Sequence, residues 1–175
     1  MKVRVVGPDD EPVATGETGE IWIKGPTVFR GYLNNPEATA AALTDGWFRT
    51  GDAGKLDEEG FLYVVDRLKD VVIRGGENIY AAEVEAALYE HPDVAEAAIV
   101  GVPDERYGEQ VAAVVRLRPE ATADPAALQA HVASRLAAFK VPSIVRIPPD
   151  PLPRNAAGKV LKRDLRAILD TQPAT

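Results

Sequence analysis

A chain of 175 residues with 46% hydrophobic content can bury a core in one domain or two small ones, and is too apolar to stay disordered. A net charge of -7 excludes a general nucleic-acid or anionic-membrane binder, which would be basic. The absence of cysteine excludes disulfide scaffolds, thiolate metal sites and thiol nucleophiles, and no apolar run approaches the roughly 18 residues of a transmembrane helix.

The N-terminus shows no signal-peptide pattern and reads as a strand entered in mid-sheet, with Val3 and Val5 alternating with Lys2 and Arg4. Gly7-Pro8-Asp9-Asp10 is a turn cluster. Residues 19–24 alternate again, Ile21 and Ile23 on one face and Glu20, Trp22 and Lys24 on the other. Asn35-Pro36-Glu37 supplies the N-cap, first-turn proline and early acid of a helix predicted to end near Asp45-Gly46. Residues 48–55 and 60–65 read as strands, with Asp57-Glu58-Glu59-Gly60 as the turn between them.

The charged run Asp66-Arg67-Leu68-Lys69-Asp70 lies between two apolar runs and marks a domain junction, dividing the chain into residues 1–66 and 67–175. Val71-Val72-Ile73 and Asn78-Ile79 flank Gly75-Gly76, a hairpin signal. A helix over 81–90 carries the stripe Val84, Ala87 and Leu88, and Pro92 stops it. Residues 94–102 and 110–117 are nearly continuous apolar runs, expected to be strands buried on both faces. Asp124-Pro125 caps a helix with the stripe Leu128, Val132 and Leu136; 145–147 is a short strand; Leu161, Leu165 and Ile168 mark a last helix. The expected class is α+β: a β-rich first part, then a hairpin and a mainly three-stranded sheet with about three helices.

Several catalytic signals are missing. His91 precedes a proline at a helix end and His131 lies on an amphipathic helix, positions that suit structural roles. No metal-ligand cluster and no complete phosphate-cradling glycine motif occurs. Asp52, just past a strand and beside Gly51, can accept two hydrogen bonds from a sugar diol, although Gly-Asp is also an ordinary turn. Gly75 and Gly76 fit a hairpin turn and equally a close backbone approach to a ligand. Pro153-Arg154-Asn155-Ala156-Ala157-Gly158-Lys159 places a lysine after glycine before a helix, with Lys162, Arg163 and Arg166 nearby. Such a lysine suits a phosphate or a carboxylate, or a solvated helix start.

Taken in register, these segments resemble the adenylate-forming enzymes, most of all the acyl-CoA synthetases. Gly19-Glu20-Ile21 and Gly31-Tyr32 are similar to that family's G-E-I and G-Y segments; Trp47-Phe48-Arg49-Thr50-Gly51-Asp52 to its W-x-x-T-G-D. Asp66 through Ile79 resembles its hinge segment, Glu83-Val84-Glu85 and His91-Pro92 the helix that follows, and Pro153 to Lys159 its closing P-x-x-x-x-G-K. Ala81 stands where many members have proline. The resemblance covers a last barrel-like subdomain and a small mobile C-terminal domain. It implies a piece of a longer polypeptide, cut within the barrel and inactive alone, whose large N-terminal domain would carry the acyl pocket and most contacts to Mg2+.

It further implies that the whole enzyme joins ATP to a carboxylic acid as acyl-AMP and passes the acyl group to CoA, in the cytoplasm. Asp52, Val64, Arg67 and Lys159 would bind the nucleotide, with Lys159 catalytic; Lys69 would be the hinge; Gly75, Gly76 and Glu77 would face the pantetheine tunnel. A lysine acetyltransferase acting on Lys159 would switch the enzyme off. An adenylation domain loading a carrier protein, and a non-enzymatic nucleotide or interaction module, are the alternatives; the Gly-Gly-Glu-Asn hairpin resembles acyl-CoA ligases.

Overall fold

The computed structural model describes residues 1–170, and the chain divides into two compact units between Lys69 and Asp70. In the first unit β1 (Lys2–Val6) pairs with β2 (Gly19–Lys24). Helix α1 (Pro36–Ala42) starts as its sequence dictates, the Asn35 side chain accepting the Ala38 N–H ahead of Pro36. It ends before Asp45-Gly46, because that pair forms a hairpin turn with φ of 50° and 76°. The turn joins β3 (Leu43–Thr44) to β4 (Trp47–Leu56), which also pairs with β2 and with β5 (Leu62–Arg67). The result is a five-stranded antiparallel sheet that curls into a half-barrel.

Val5, Val6, Ile21 and Ala53 are buried in this sheet. Trp22 is buried as well, at 1% exposure, although strand alternation assigns it to the polar face. The cause is a cation–aromatic stack: the Arg4 guanidinium lies 4.5 Å from the Trp22 ring and 4.3 Å from the Trp47 ring, with Arg49 4.8 Å over Trp22.

A 3-10 turn at Leu68–Asp70 precedes the second unit, which opens with the hairpin β6 (Val72–Arg74) and β7 (Glu77–Ile79). Helix α2 (Ala81–Tyr89), strands β8 (Val94–Asp104) and β9 (Gly108–Leu117), helix α3 (Pro125–Ala133), strand β10 (Ile144–Arg146) and helix α4 (Lys162–Asp170) follow. Strand β9 is central: β8 runs antiparallel along one side, while β10 (parallel) and β6 (antiparallel) share the other.

Both faces of this sheet are covered. Ile99, Val111, Ala113 and Val115 pack with Val84, Leu88, Leu128 and Val132 of α2 and α3. Val100, Ala112 and Val114 pack with Leu152 and with Leu165 and Leu169 of α4. Each fully buried aliphatic side chain contributes about 1.5–3 kcal/mol. One irregularity interrupts the β8–β9 ladder, a register shift between Val94 and Glu96. Val94 and Ala97 therefore both face the α2–α3 layer, while Glu96, in phase with Ala98 and Val100, lies on the opposite face. Among the described residues no helix is long and apolar enough to cross a membrane.

Helix α3 is tied to α2 by a histidine. His131 Nε2 lies 3.0 Å from the Ala87 carbonyl, in the last turn of α2 where carbonyls lack helical partners, and its ring meets His91 edge-on at 4.9 Å. Burial pushes the His131 pKa below its ordinary 6.5, and nearby Arg135 and His91 push the same way, against the Ala87 carbonyl and Glu90. The unfolded chain therefore takes up this proton more readily than the folded one. The stability contributed by neutral His131 is present above about pH 6.5 and is lost as pH falls through 6.5 toward the lowered value. Thermal melts of the chain are expected to show a lower Tm at pH 5.5 than at pH 7.5, with the difference reduced in His131→Gln, whose amide still reaches Ala87; an unchanged pH slope in that variant overturns the assignment.

Candidate functional site

In the first unit the site grows from an irregular stretch of β4. Pairing with β2 jumps from Glu20 opposite Ala53 to Trp22 opposite Arg49, so Thr50 and Gly51 are extra residues that bow out. Gly51 takes φ +71°, a backbone region that glycine reaches without strain. Its N–H donates to Glu20 Oε1 at 3.1 Å, while Glu20 Oε2 accepts from Trp22 Nε1 at 2.9 Å and Arg49 Nε at 3.2 Å. The Thr50 hydroxyl donates to the Ile21 carbonyl at 2.7 Å and accepts the Asp52 N–H at 3.1 Å.

This framework sets Asp52 directly opposite Arg67 of β5, and their side chains form an ion pair at 2.7 Å from Arg67 Nε to Asp52 Oδ1. The Asp52 carboxylate stays partly open, at 30% side-chain exposure. A second bulge, between Ala53 and Gly54, adds one residue to β5 and sets Val64 opposite Gly54, on the face of Asp52 and Arg67. Val64 is 65% exposed, a bare apolar side chain beside an acceptor and a fixed guanidinium. Asp52, Arg67 and Val64, separate in sequence, thus share one face.

Lys69 is exposed in the 3-10 turn where the two units divide. In the second unit Gly75 and Gly76 form the two-residue turn of the β6–β7 hairpin, with φ of 61° and 89°. The Gly75 N–H donates to the Tyr107 carbonyl at 2.8 Å, Arg74 stacks 4.2 Å from the Tyr107 ring centre, and Glu109 Oε2 accepts the Ile73 N–H at 2.8 Å. The hairpin is thus fastened at its base. A side chain added at Gly76 would meet nothing within 4 Å, so this backbone is bare, and Glu77 beside it is exposed.

Lys159 lies in a compact loop ahead of α4. Asn155 Oδ1 accepts the N–H groups of Ala157 (3.1 Å) and Lys159 (2.9 Å), and the Asn155 N–H donates to the Lys159 carbonyl at 2.9 Å. The basic neighbours predicted to surround it are occupied: Arg154 pairs with Glu96, Lys162 with Glu85 and Arg163 with Asp164, and Arg166 donates to the Gly101 carbonyl. In this segment Lys159 is the cation whose charged head has no partner among the described residues. Asp52 and Lys159 belong to different units. Among the described residues no three His, Asp or Glu side chains converge as a metal-ligand set.

Sequence reasoning gave no role to Glu20, Glu96 or Tyr107. Each acts across a distance in sequence, Glu20 on Gly51 and Glu96 on Arg154, and only strand register brings the partners together.

Residues 83–159 match the family model described as the AMP-binding enzyme C-terminal domain. The chain is 53% identical over 161 residues to the 2-succinylbenzoate–CoA ligase of Geobacillus kaustophilus, covering 92% of this chain and 33% of that one. It is 52% identical over 155 residues to the long-chain-fatty-acid–CoA ligase of Bacillus subtilis, covering 89% of this chain and 28% of the ligase. Among solved structures, ATP-bound MatB from Rhodopseudomonas palustris superposes with a TM-score of 0.89 at 41% identity, over 97% of this chain and 34% of MatB. The chain spans about a third of the length of the curated relatives it matches.

The bowed loop of β4 yields a direct test. Ala at position 51 must adopt φ +71°, at a cost of about 1 kcal/mol. Gly51→Ala is expected to lower the Tm of the chain by roughly 2–4 °C in a thermal melt; an unchanged Tm means that the loop relaxes freely.

Proposed function

We propose that the chain, which matches the AMP-binding enzyme C-terminal domain over residues 83–159, works as the C-terminal part of an adenylate-forming, ATP-dependent acyl-CoA ligase. In the first step an oxygen of the carboxylic acid attacks the α-phosphorus of ATP, giving acyl-AMP and releasing pyrophosphate. In the second, the CoA sulfur attacks the acyl carbon, AMP leaves with the carboxyl oxygen, and the thiol proton is lost.

The observation that carries this reading is the unpartnered Lys159 ammonium in a segment whose other cations are paired. Such a charge suits an anion from outside the chain. In the proposed role it bridges the incoming carboxylate and the α-phosphate and offsets negative charge in the transition state. Asp52 receives the ribose hydroxyls on its open oxygen, Arg67 holds Asp52 and reaches the same region, and Val64 lies against the nucleotide. Lys69 supplies the backbone rotation that exchanges the two steps, dividing residues 1–66 from the mobile part that follows. The bare backbone at Gly75 and Gly76, with Glu77 at its edge, borders the pantetheine arm.

The relatives support a shared nucleotide and thiol role rather than an acyl-selecting one. Two ligases named for unlike acids are each more than half identical to this chain over the region matched, which fits a role common to both. A preceding N-terminal domain would supply the acyl pocket and hold Mg2+, and use of ATP and CoA fits the cytoplasm. Acylation of Lys159 by a lysine acetyltransferase would remove the charge on which the first step depends.

Two variants of the proposed full-length ligase separate the steps. Lys159→Ala is expected to lower adenylation, read by pyrophosphate release, by roughly 100-fold while sparing thioester formation from supplied acyl-adenylate; equal loss of both steps rejects the role. Gly76→Asn, whose residue tolerates positive φ, is expected to slow the thioester step and leave pyrophosphate release unchanged. Unaltered thioester formation in that variant removes the hairpin from the thiol path.

A further inference from the structure

The loop that carries Lys159 is exposed, rich in small residues and without a core side chain of its own from Asn155 to Gly158. Hydrogen bonds from Asn155 shape it from within, but a segment so exposed is fixed against the sheet only by contacts from outside it. The structure shows those contacts. Glu96 Oε1 pairs with Arg154 at 3.0 Å, and Glu96 Oε2 accepts the Leu152 N–H at 3.3 Å. Arg154 in turn donates to the Gly158 carbonyl at 2.7 Å, the residue before Lys159. One guanidinium thus spans from the sheet to the tip of the loop. Beyond the loop, Lys162 pairs at 2.8 Å with Glu85, whose carboxylate also accepts the Ile99 N–H.

Glu96 is in reach because it is in phase with Ala98, Val100 and Val102, on the face that α4 covers. From Glu96 to Asp104 the β8–β9 register is regular, which sets the carboxylate on the face where Leu152 enters the sheet. The register shift lies just before it and puts Val94 on the other face, in the α2–α3 layer. Glu96 is thus the first residue of the regular ladder, at the margin of the core rather than inside it.

The geometry points to Glu96 as a positioning residue for Lys159, acting through Arg154. It touches no substrate; it holds the loop in the shape from which Lys159 projects. The inference rests on the adenylation role given to Lys159 above, and its test has one arm that does not depend on that role.

The first arm measures amide hydrogen exchange by NMR in the 175-residue chain. Glu96→Gln and Arg154→Ala are each expected to speed exchange at Ala157 and Lys159, whose N–H groups face Asn155, by roughly tenfold or more, while Ile99 and Ala113 in the sheet stay protected. The double variant is expected to match the singles, since both break one chain of contacts. The second arm uses the proposed full-length ligase. Glu96→Gln is expected to lower kcat for adenylation by roughly tenfold with little change in KM for ATP, and to leave the thioester step intact, a split that general destabilisation would not give. Unchanged loop exchange in both single variants overturns the inference. So does a loosened loop with full adenylation where Lys159→Ala abolishes it. If Lys159→Ala itself retains adenylation, the reading of Lys159 fails, and the exchange arm alone decides whether Glu96 orders the loop.

Discussion

A sheet buried on both faces has no place for a charge, and the second unit is organised around that constraint. From Ala97 to Val102 and from Val111 to Val115 every residue but Gly101 is an apolar side chain packed under α2 and α3 or under α4. Polar function is thereby driven to the sheet's margins. The carboxylates that approach the sheet each meet a backbone donor or a cation there: Glu85 the Ile99 N–H and Lys162, Glu96 the Leu152 N–H and Arg154, Glu109 the Ile73 N–H. A half-buried carboxylate so satisfied is stable, and it becomes a fixed point to which a loop can be fastened. The Gly75-Gly76 hairpin and the Lys159 loop are both fastened this way.

The same logic explains a charge distribution that the net value of -7 conceals. The basic run after Pro153 suggests a positive patch, yet Arg154, Lys162 and Arg163 are neutralised by Glu96, Glu85 and Asp164. Arg166 is committed to the Gly101 carbonyl, so among the described residues of this run Lys159 is the cation left open, in place of a broad positive field. A broad field would attract polyanions without discrimination; one cation on an ordered loop offers position as well as charge. In the first unit the polarity is reversed. Arg67 occupies one oxygen of Asp52, which leaves a carboxylate that is both oriented and partly free.

Much of the fold was legible because it rests on local chemistry. Asp124-Pro125 and Asn35-Pro36 cap their helices as their side chains require, and the unbroken apolar runs of β8 and β9 announce a doubly covered sheet. Asp45-Gly46 was legible as punctuation but not as a hairpin, because a helix end and a tight turn both use residues that tolerate positive φ. Trp22 defeated the alternation rule because its face is covered by Arg4 and Arg49, side chains counted as polar when read singly. Of the site, Asp52, Gly76 and Lys159 stand in recognisable motifs. Glu20 stands in the G-E-I segment, but its hydrogen bond to Gly51, like the Glu96 pair with Arg154, depends on a strand register that no local pattern records. An apolar run without alternation leaves no trace of a one-residue slip, so the bulge beside Val94 was invisible.

The irregularities of the first sheet serve a purpose that regular pairing could not. In β4 the extra residues Thr50 and Gly51 interrupt the ladder with β2 beside Asp52, and the extra residue of β5 sets Val64 on the face of Asp52 and Arg67. Each bulge gives up ladder hydrogen bonds and sits next to a side chain whose direction it changes. The second sheet uses the slip in β8 differently: it places Val94 in the α2–α3 layer, while Glu96 keeps the phase of Val100 and meets Arg154 at the edge of the opposite face. One unit thus presents its polar group by breaking strand regularity, the other by placing it where a regular strand leaves the core. The bulges beside Asp52 are the strongest structural reason to regard that segment as functional rather than merely exposed.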